Sequence, residues 1–285
     1  MSESLAPAAP SAEVITKAAK SNLAFAFSAL PPQQRTDLTT YYAYCRLIDD
    51  IADDPDIPVD ERRRQLDHWR NGLSNGFENP TDIEARTVEL RDRHNLPTQY
   101  LLDLIDGCEM DLTPQRFGSW EELQLYTYRV AGSVGLICVR LFECDHPGAD
   151  TYARHLGDAL QLTNIIRDVG EDLENGVRSY LPLGDFARFQ YSERDLIGRV
   201  YDGRFKAMMT YQAERARHLY KLTEDALPKK TRSGLIATEI MRDIYFAILK
   251  KIERDDFQVF DKRYKLSKAS KVLLFARCLL RHKFA

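Results

Sequence analysis

Gln161-Leu162-Thr163-Asn164-Ile165-Ile166-Arg167-Asp168-Val169-Gly170-Glu171-Asp172 places Gln161, Asn164, Asp168 and Asp172 at i, i+3, i+7 and i+11 of an otherwise apolar run. On a helix this spacing draws one stripe. Burying such a stripe in a core leaves its groups unsatisfied, so it has to face a polar cavity. The segment ends near Asn175-Gly176, where a helix stops readily.

Far upstream, Tyr41-Tyr42-Ala43-Tyr44-Cys45-Arg46-Leu47-Ile48 leads into Asp49-Asp50-Ile51-Ala52-Asp53-Asp54 and stops at Pro55. Asp49/Asp53 and Asp168/Asp172 are both i, i+4 pairs, so each stacks two carboxylates a turn apart on one face. Like charges so placed repel unless a cation sits between them. At the C-terminal turns of a helix they also face the negative end of its dipole. An isolated Asp-x-x-x-Asp is most often a solvated helix face. Two such pairs in matched apolar contexts, one on a polar stripe, point instead to a shared site. Carboxylate oxygens without Cys or His suit Mg²⁺, which takes one or two carboxylates plus substrate phosphates. Asp49 and Asp168 are 119 positions apart, so the site is tertiary.

Helical periodicity runs through the chain, and no strand-turn-strand pattern interrupts it. Prolines fall between the periodic segments, at Pro31-Pro32, Pro55, Pro58, Pro80, Pro97, Pro114, Pro147, Pro182 and Pro228. This punctuation predicts about eight to ten helices. We expect an all-α fold: a tail over residues 1–12, rich in Ala, Pro and Ser, and one helical-bundle domain around a cavity over 13–285.

With 285 residues, 44% hydrophobic content and a net charge of −3, the chain can build a large core and is not a general nucleic-acid binder. Its five cysteines, Cys45, Cys108, Cys138, Cys144 and Cys278, show no CxxC spacing and read as reduced thiols of a cytoplasmic protein. No run is long enough to span a membrane. Lys268-Ala269-Ser270-Lys271-Val272-Leu273-Leu274-Phe275-Ala276-Arg277-Cys278-Leu279-Leu280-Arg281-His282-Lys283 mixes basic and apolar residues at helical spacing. It suits peripheral contact with the inner face of the cytoplasmic membrane, or packing on the domain.

From about Ser21 to Phe275 the chain resembles the squalene/phytoene synthase family of head-to-head prenyl-diphosphate-condensing enzymes. The resemblance is carried by Ser21-to-Pro31, by Tyr42-to-Asp53, by Tyr126-Thr127-Tyr128-Arg129-Val130-Ala131-Gly132-Ser133-Val134-Gly135, by Gln161-to-Asp172, and by Arg178-Ser179-Tyr180-Leu181-Pro182. Two departures stand out. The run Asn175-to-Tyr180 is one residue longer than the family's Gly-Arg-Ile-Tyr segment, and Leu23 stands where an aromatic is common.

The resemblance implies an isoprenoid-synthase helical bundle. It implies Mg²⁺, replaceable by Mn²⁺, held by Asp49, Asp53, Asp168 and Asp172 with Asn164 completing the site. Arg46, Tyr42, Gln161, Asn164, Arg167, Arg178, Tyr245 and Lys262 are then contacts to the prenyl diphosphate. Arg46 as a plain ion pair is the competing reading. Tyr126 is placed at the proton loss that closes a cyclopropane; a phenol is a poor base, so it positions or relays, or else is a bonded core aromatic. His155 and His218 read as structural.

The run Ala131-to-Gly135 makes room either for a prenyl chain or for a close helix contact, since glycine costs a helix about 1 kcal/mol against alanine. The central motif and the Asp-Asp-Ile-Ala-Asp form favour two farnesyl diphosphates, giving presqualene diphosphate and, with NADPH, squalene. Two geranylgeranyl diphosphates giving phytoene is the alternative. No Gly-x-Gly-x-x-Gly follows a strand, so NADPH has no evident Rossmann site. A non-catalytic relative is expected to have lost its carboxylates, and this chain keeps all four. A head-to-tail prenyl transferase or terpene cyclase is disfavoured by the central motif, and a helical phosphohydrolase by the lack of His beside the aspartates.

Overall fold

The computed structural model describes residues 26–27, 30–113, 116–176 and 179–283. The 1–12 tail, most of the opening Ser21-to-Pro31 motif, and Arg178 lie outside the described residues. Among the described residues every regular element is helical. The long ones are α1 (Pro32–Asp53), α2 (Val59–Asn75), α3 (Asp82–Arg93), α4 (Thr98–Met110), α5 (Trp120–Thr127), α6 (Ser133–Leu141) and α7 (Ala149–Glu174). After the short α8 (Leu183–Arg188) and α9 (Glu193–Ile197) come α10 (Gly203–Ala226), the one-turn α11 (Lys229–Arg232), α12 (Ile236–Arg254) and α13 (Lys268–Lys283). Ten of these run eight residues or more, in line with the punctuation.

The prolines act as expected. Pro31, Pro58, Pro97, Pro182 and Pro228 each stand immediately before a helix with φ near −60° and extended ψ. The ring presets that φ and gives up a backbone N–H that helix starts leave unbonded anyway. α3 is fixed by a capping box between Thr81 and Glu84, and α10 by Asp202, whose carboxylate accepts from the backbone N–H of Arg204 and Phe205.

α7 is the central helix. It packs against α10, α6, α12 and α5, while α1 closes the other side through α2, α3, α4 and α6. Tyr41, Tyr44, Ile48, Tyr152, Leu162, Ile166, Phe205 and Ile244 are buried in the core between these layers. Between α5 and α6 the helix widens into a π turn over Tyr128–Gly132, a distortion that tends to mark functional positions.

The small-residue run makes the close helix contact. A Cβ on Gly157 of α7 would sit 2.6 Å from the Gly132 backbone N, and one on Gly135 2.8 Å from the Ala153 carbonyl. The glycines therefore let two backbones touch. Ala131 and Gly135 also line the internal cavity.

Candidate active site

Three helices deliver carboxylates at their C-terminal ends. Asp49 and Asp53 close α1, Asp111 follows the last residue of α4, and Asp168 and Asp172 lie in the last two turns of α7. Each end carries the negative pole of its dipole, so the group is costly without a cation. Tyr126 Oη donates to Asp111 Oδ2 at 2.8 Å, and Tyr180 Oη to Asp111 Oδ1 at 2.8 Å. Loss of surrounding water, and then Asp53, push the Asp49 carboxyl up to about 6, with Asp50 and Asp111 adding to the rise and Arg46 opposing it. Asp172 acts electrostatically on Tyr180, as Asp111 does. Asp111 thus acts electrostatically on Asp49 and accepts from Tyr180, on which Asp172 acts in turn.

Arg46 forks between Asp49 (2.8 Å) and Asp50 (2.5 Å). Arg167 grips both oxygens of its neighbour Asp168, at 2.7 and 2.5 Å. Burial works against the Arg167 charge, yet Asp168 and Tyr245 hold it firmly protonated. Tyr126 is buried, and burial together with Asp111 raises its hydroxyl well above the ordinary range. It is a neutral donor.

Behind the carboxylates lies a cavity of two confluent chambers. The outer one, about 310 Å³, is lined by Tyr42, Arg46, Asp49, Asp111, Tyr126 and Gln161 with apolar neighbours. The inner one, about 210 Å³, runs along α7 from Asn164 and Gln161 through Leu160 and Leu156 to Tyr152, with Tyr245 and Met241 of α12 opposite. Val130, Val134, Cys138, Leu38 and Gln161 belong to both. Asn164 Nδ2 leans on Gln161 Oε1 at 3.4 Å, while Asn164 Oδ1 is buried and makes no hydrogen bond among the described residues.

This arrangement fits a hard divalent cation: an orphaned amide oxygen and a displaced carboxyl, with no imidazole among the residues named. Cys45, Cys108 and Cys138 do line the cavity, but burial raises all three thiols, Cys138 to about 12, so they stay neutral and poor ligands. Among the described residues no three His, Cys, Asp or Glu side chains form a ready-made cage. Mg²⁺ does not require one, because substrate phosphates complete its octahedron.

Lys262 stands apart. Its Nζ donates to Asp255 Oδ2 at 2.8 Å, and it lines neither chamber. Its neighbour Arg263 instead reaches Glu171 of the second acidic segment at 3.0 Å. Asp111 and Tyr180 are the site residues that motif reading passes over. The signal for Asp111 was present: an acid at the C-terminal end of an apolar helix, as at Asp53.

The squalene/phytoene synthase family model matches residues 16–270. The chain belongs to the squalene/phytoene synthase family. It is 35% identical over 266 residues to a 15-cis-phytoene synthase of Synechocystis sp., covering 88% of this chain and 78% of that protein. It is 33% identical over 270 residues to the phytoene synthase of Mycobacterium tuberculosis, covering 94% and 89%. A crystal structure of a dehydrosqualene synthase superposes with a TM-score of 0.83 at 28% identity, covering 96% of each chain. The all-α isoprenoid-synthase fold expected from the sequence is therefore the fold present. Family members condense prenyl diphosphates head to head, and the cavity behind the carboxylates has the polarity that such substrates demand.

Proposed function

We propose that this chain condenses two farnesyl diphosphates head to head to presqualene diphosphate, with Asp49, Asp53, Asn164, Asp168 and Asp172 holding Mg²⁺ or Mn²⁺. The observation that carries the reading is an outer chamber bearing Asp49, Asp111 and Arg46 that runs at Gln161 into an apolar inner chamber, with Asp53 one turn from Asp49 and Asp168 and Asp172 further along the helix of Gln161. Held by these residues, the cation would supply the positive charge that neutralises a departing pyrophosphate. Arg46 and Arg167 exchange their own carboxylates for phosphate oxygens, to which guanidinium groups bind bidentately. Tyr42 and Gln161 orient the substrate at the mouth, and Tyr245 does so in the inner chamber. Arg178, and Lys262 once it leaves Asp255, are further diphosphate contacts.

The walls keep the allylic cation dry and offer it aromatic faces. The new C–C bond forms between the two prenyl chains as one C–O bond to diphosphate breaks. Closure of the cyclopropane releases one proton. Tyr126, a neutral phenol fixed by Asp111, positions that centre and passes the proton toward the released pyrophosphate.

The shorter substrate is supported by the floor of the inner chamber. Tyr152 is fully buried there, its hydroxyl tied to Glu239 Oε1 at 2.9 Å and to Thr238 at 3.0 Å, and Phe142 and Met241 stand beside it. A floor so pinned does not yield easily to a longer chain. A second reading, phytoene formation from two geranylgeranyl diphosphates, is favoured by the names of the Synechocystis and Mycobacterium relatives. Onward reduction to squalene requires NADPH.

The test is incubation of the purified protein with Mg²⁺ and each diphosphate, with and without NADPH, followed by product identification. Consumption of farnesyl diphosphate to presqualene diphosphate is expected. Turnover of geranylgeranyl diphosphate alone selects the second reading, and no turnover by folded protein sinks both.

A further inference from the structure

Helix α13 is amphipathic in the wrong sense for a helix that ends its contacts at the domain surface. One face is anchored on α12: Cys278 and His282 are buried, Arg281 pairs with Asp243, and His282 Nε2 lies 3.3 Å from Glu239 Oε2. The opposite face should be polar. Instead Ala269, Val272, Leu273, Ala276, Leu279 and Leu280 are all exposed, and they fall within about 120° of the helix circumference. Leu273 and Leu280 are 70% and 59% exposed, and this helix holds four of the six exposed large hydrophobics among the described residues. That clustering marks a contact surface rather than scatter.

Charge selects the partner. The helix contains Lys268, Lys271, Arg277, Arg281 and Lys283 and no acidic residue, in a chain whose net charge is −3. Lys268 and Arg277 are exposed at the two margins of the apolar stripe, and neither has an acidic partner among the described residues. A second copy of the chain docking here across a two-fold axis would set this basic helix against itself, with no carboxylate to offset the repulsion. A bilayer bearing anionic headgroups satisfies both halves of the surface: acyl chains for the stripe, phosphates for its margins.

We propose that α13 docks this protein in the plane of an anionic membrane surface through Val272, Leu273, Leu279 and Leu280, with Lys268 and Arg277 at the headgroups. On the side turned from α13's outer face, α12 walls the inner chamber through Ala237, Thr238, Met241 and Tyr245. If the proposed reaction holds, the prenyl product is therefore made one helix pair away from the bilayer.

Vesicle flotation of the full chain, without substrate or Mg²⁺, tests the docking independently of the reaction. Binding to phosphatidylcholine vesicles containing phosphatidylglycerol should exceed binding to pure phosphatidylcholine by about tenfold or more, and fall steeply with salt. Leu273→Glu/Leu280→Glu and Lys268→Glu/Arg277→Glu should each lose about tenfold. Equal retention on both vesicle types, or undiminished binding by both variants, overturns the proposal. So does a Tm loss of about 5 °C or more in Leu273→Glu/Leu280→Glu, since that means the stripe is already covered by this chain or by a second copy.

Discussion

Tyr126 and Tyr180 stack with ring centroids 5.1 Å apart, and their hydroxyls share the two oxygens of Asp111. One comes from the central motif and the other from the segment after the second acidic motif, so Asp111 ties together parts of the site distant in sequence. Asp111→Asn keeps the shape but turns an amide N–H₂ toward one of the two donors, leaving that hydroxyl unpaired. We expect kcat to fall by roughly tenfold to a hundredfold, with a higher Mg²⁺ requirement and a nearly unchanged circular dichroism spectrum. Steady-state kinetics at several Mg²⁺ concentrations check this; wild-type kinetics would reduce Asp111 to a structural acceptor.

On the proposed reaction, Asp49→Asn and Asp168→Asn each remove a charge that the leaving diphosphate and its cation would need. Turnover should drop by about 10²-fold or more in either variant. The metal-free Asp49→Asn protein should be at least as heat-stable as wild type, because the charge it removes is unfavourably placed. Near-normal product formation by either variant would falsify the assignment of the two acidic walls.

The Asp49 carboxyl, raised from the ordinary aspartate value of 3.8 to about 6, binds a proton more tightly in the folded chain than in the unfolded one. Its contribution to stability is therefore complete below the unfolded value and is lost as pH rises through about 6. Metal-free wild type should gain Tm relative to Asp49→Asn as pH drops from about 7 to about 5. Metal binding runs the other way, since proton and cation compete for the same oxygens. The Mg²⁺ concentration for half-maximal rate should climb below about pH 6. Thermal melts and Mg²⁺ titrations across this range read both signs.

Gly157 faces backbone, not a side chain that can swing away. An added methyl group would meet Gly132 N at 2.6 Å and Ala131 C at 2.7 Å. Gly157→Ala should cost about 1–3 kcal/mol, measured by denaturant unfolding. Gly203→Ala, where nothing lies within 4 Å of the new Cβ, serves as the control and should leave stability nearly unchanged.

Met241 lines the inner chamber with Tyr152. Met241→Ala enlarges that chamber without disturbing the Tyr152–Glu239 bond. The ratio of geranylgeranyl to farnesyl diphosphate turnover should rise by about tenfold, read in a competition assay with both substrates. An unchanged ratio places the chain-length limit elsewhere in the cavity.

The helices, their proline boundaries, the two acidic pairs and the Gln161-to-Asp172 stripe were legible in the sequence because each is a local pattern. Spacing of three and four residues fixes a helix face, and a proline ring fixes where the next helix begins. The pairing of the walls is not local. That Asp111 would line the outer chamber with Asp49 and accept from Tyr180 depends on how α1 and α4 pack and where the chain returns after α7. The C-terminal helix makes the same point. Its composition admitted either a membrane face or a packed one; the burial of Cys278 and His282 on α12 shows the packed one and decides that Leu273 and Leu280 point outward. Sequence periodicity determines which residues share a face; the neighbour that face meets, whether cation, prenyl chain, core or solvent, is chosen by tertiary packing.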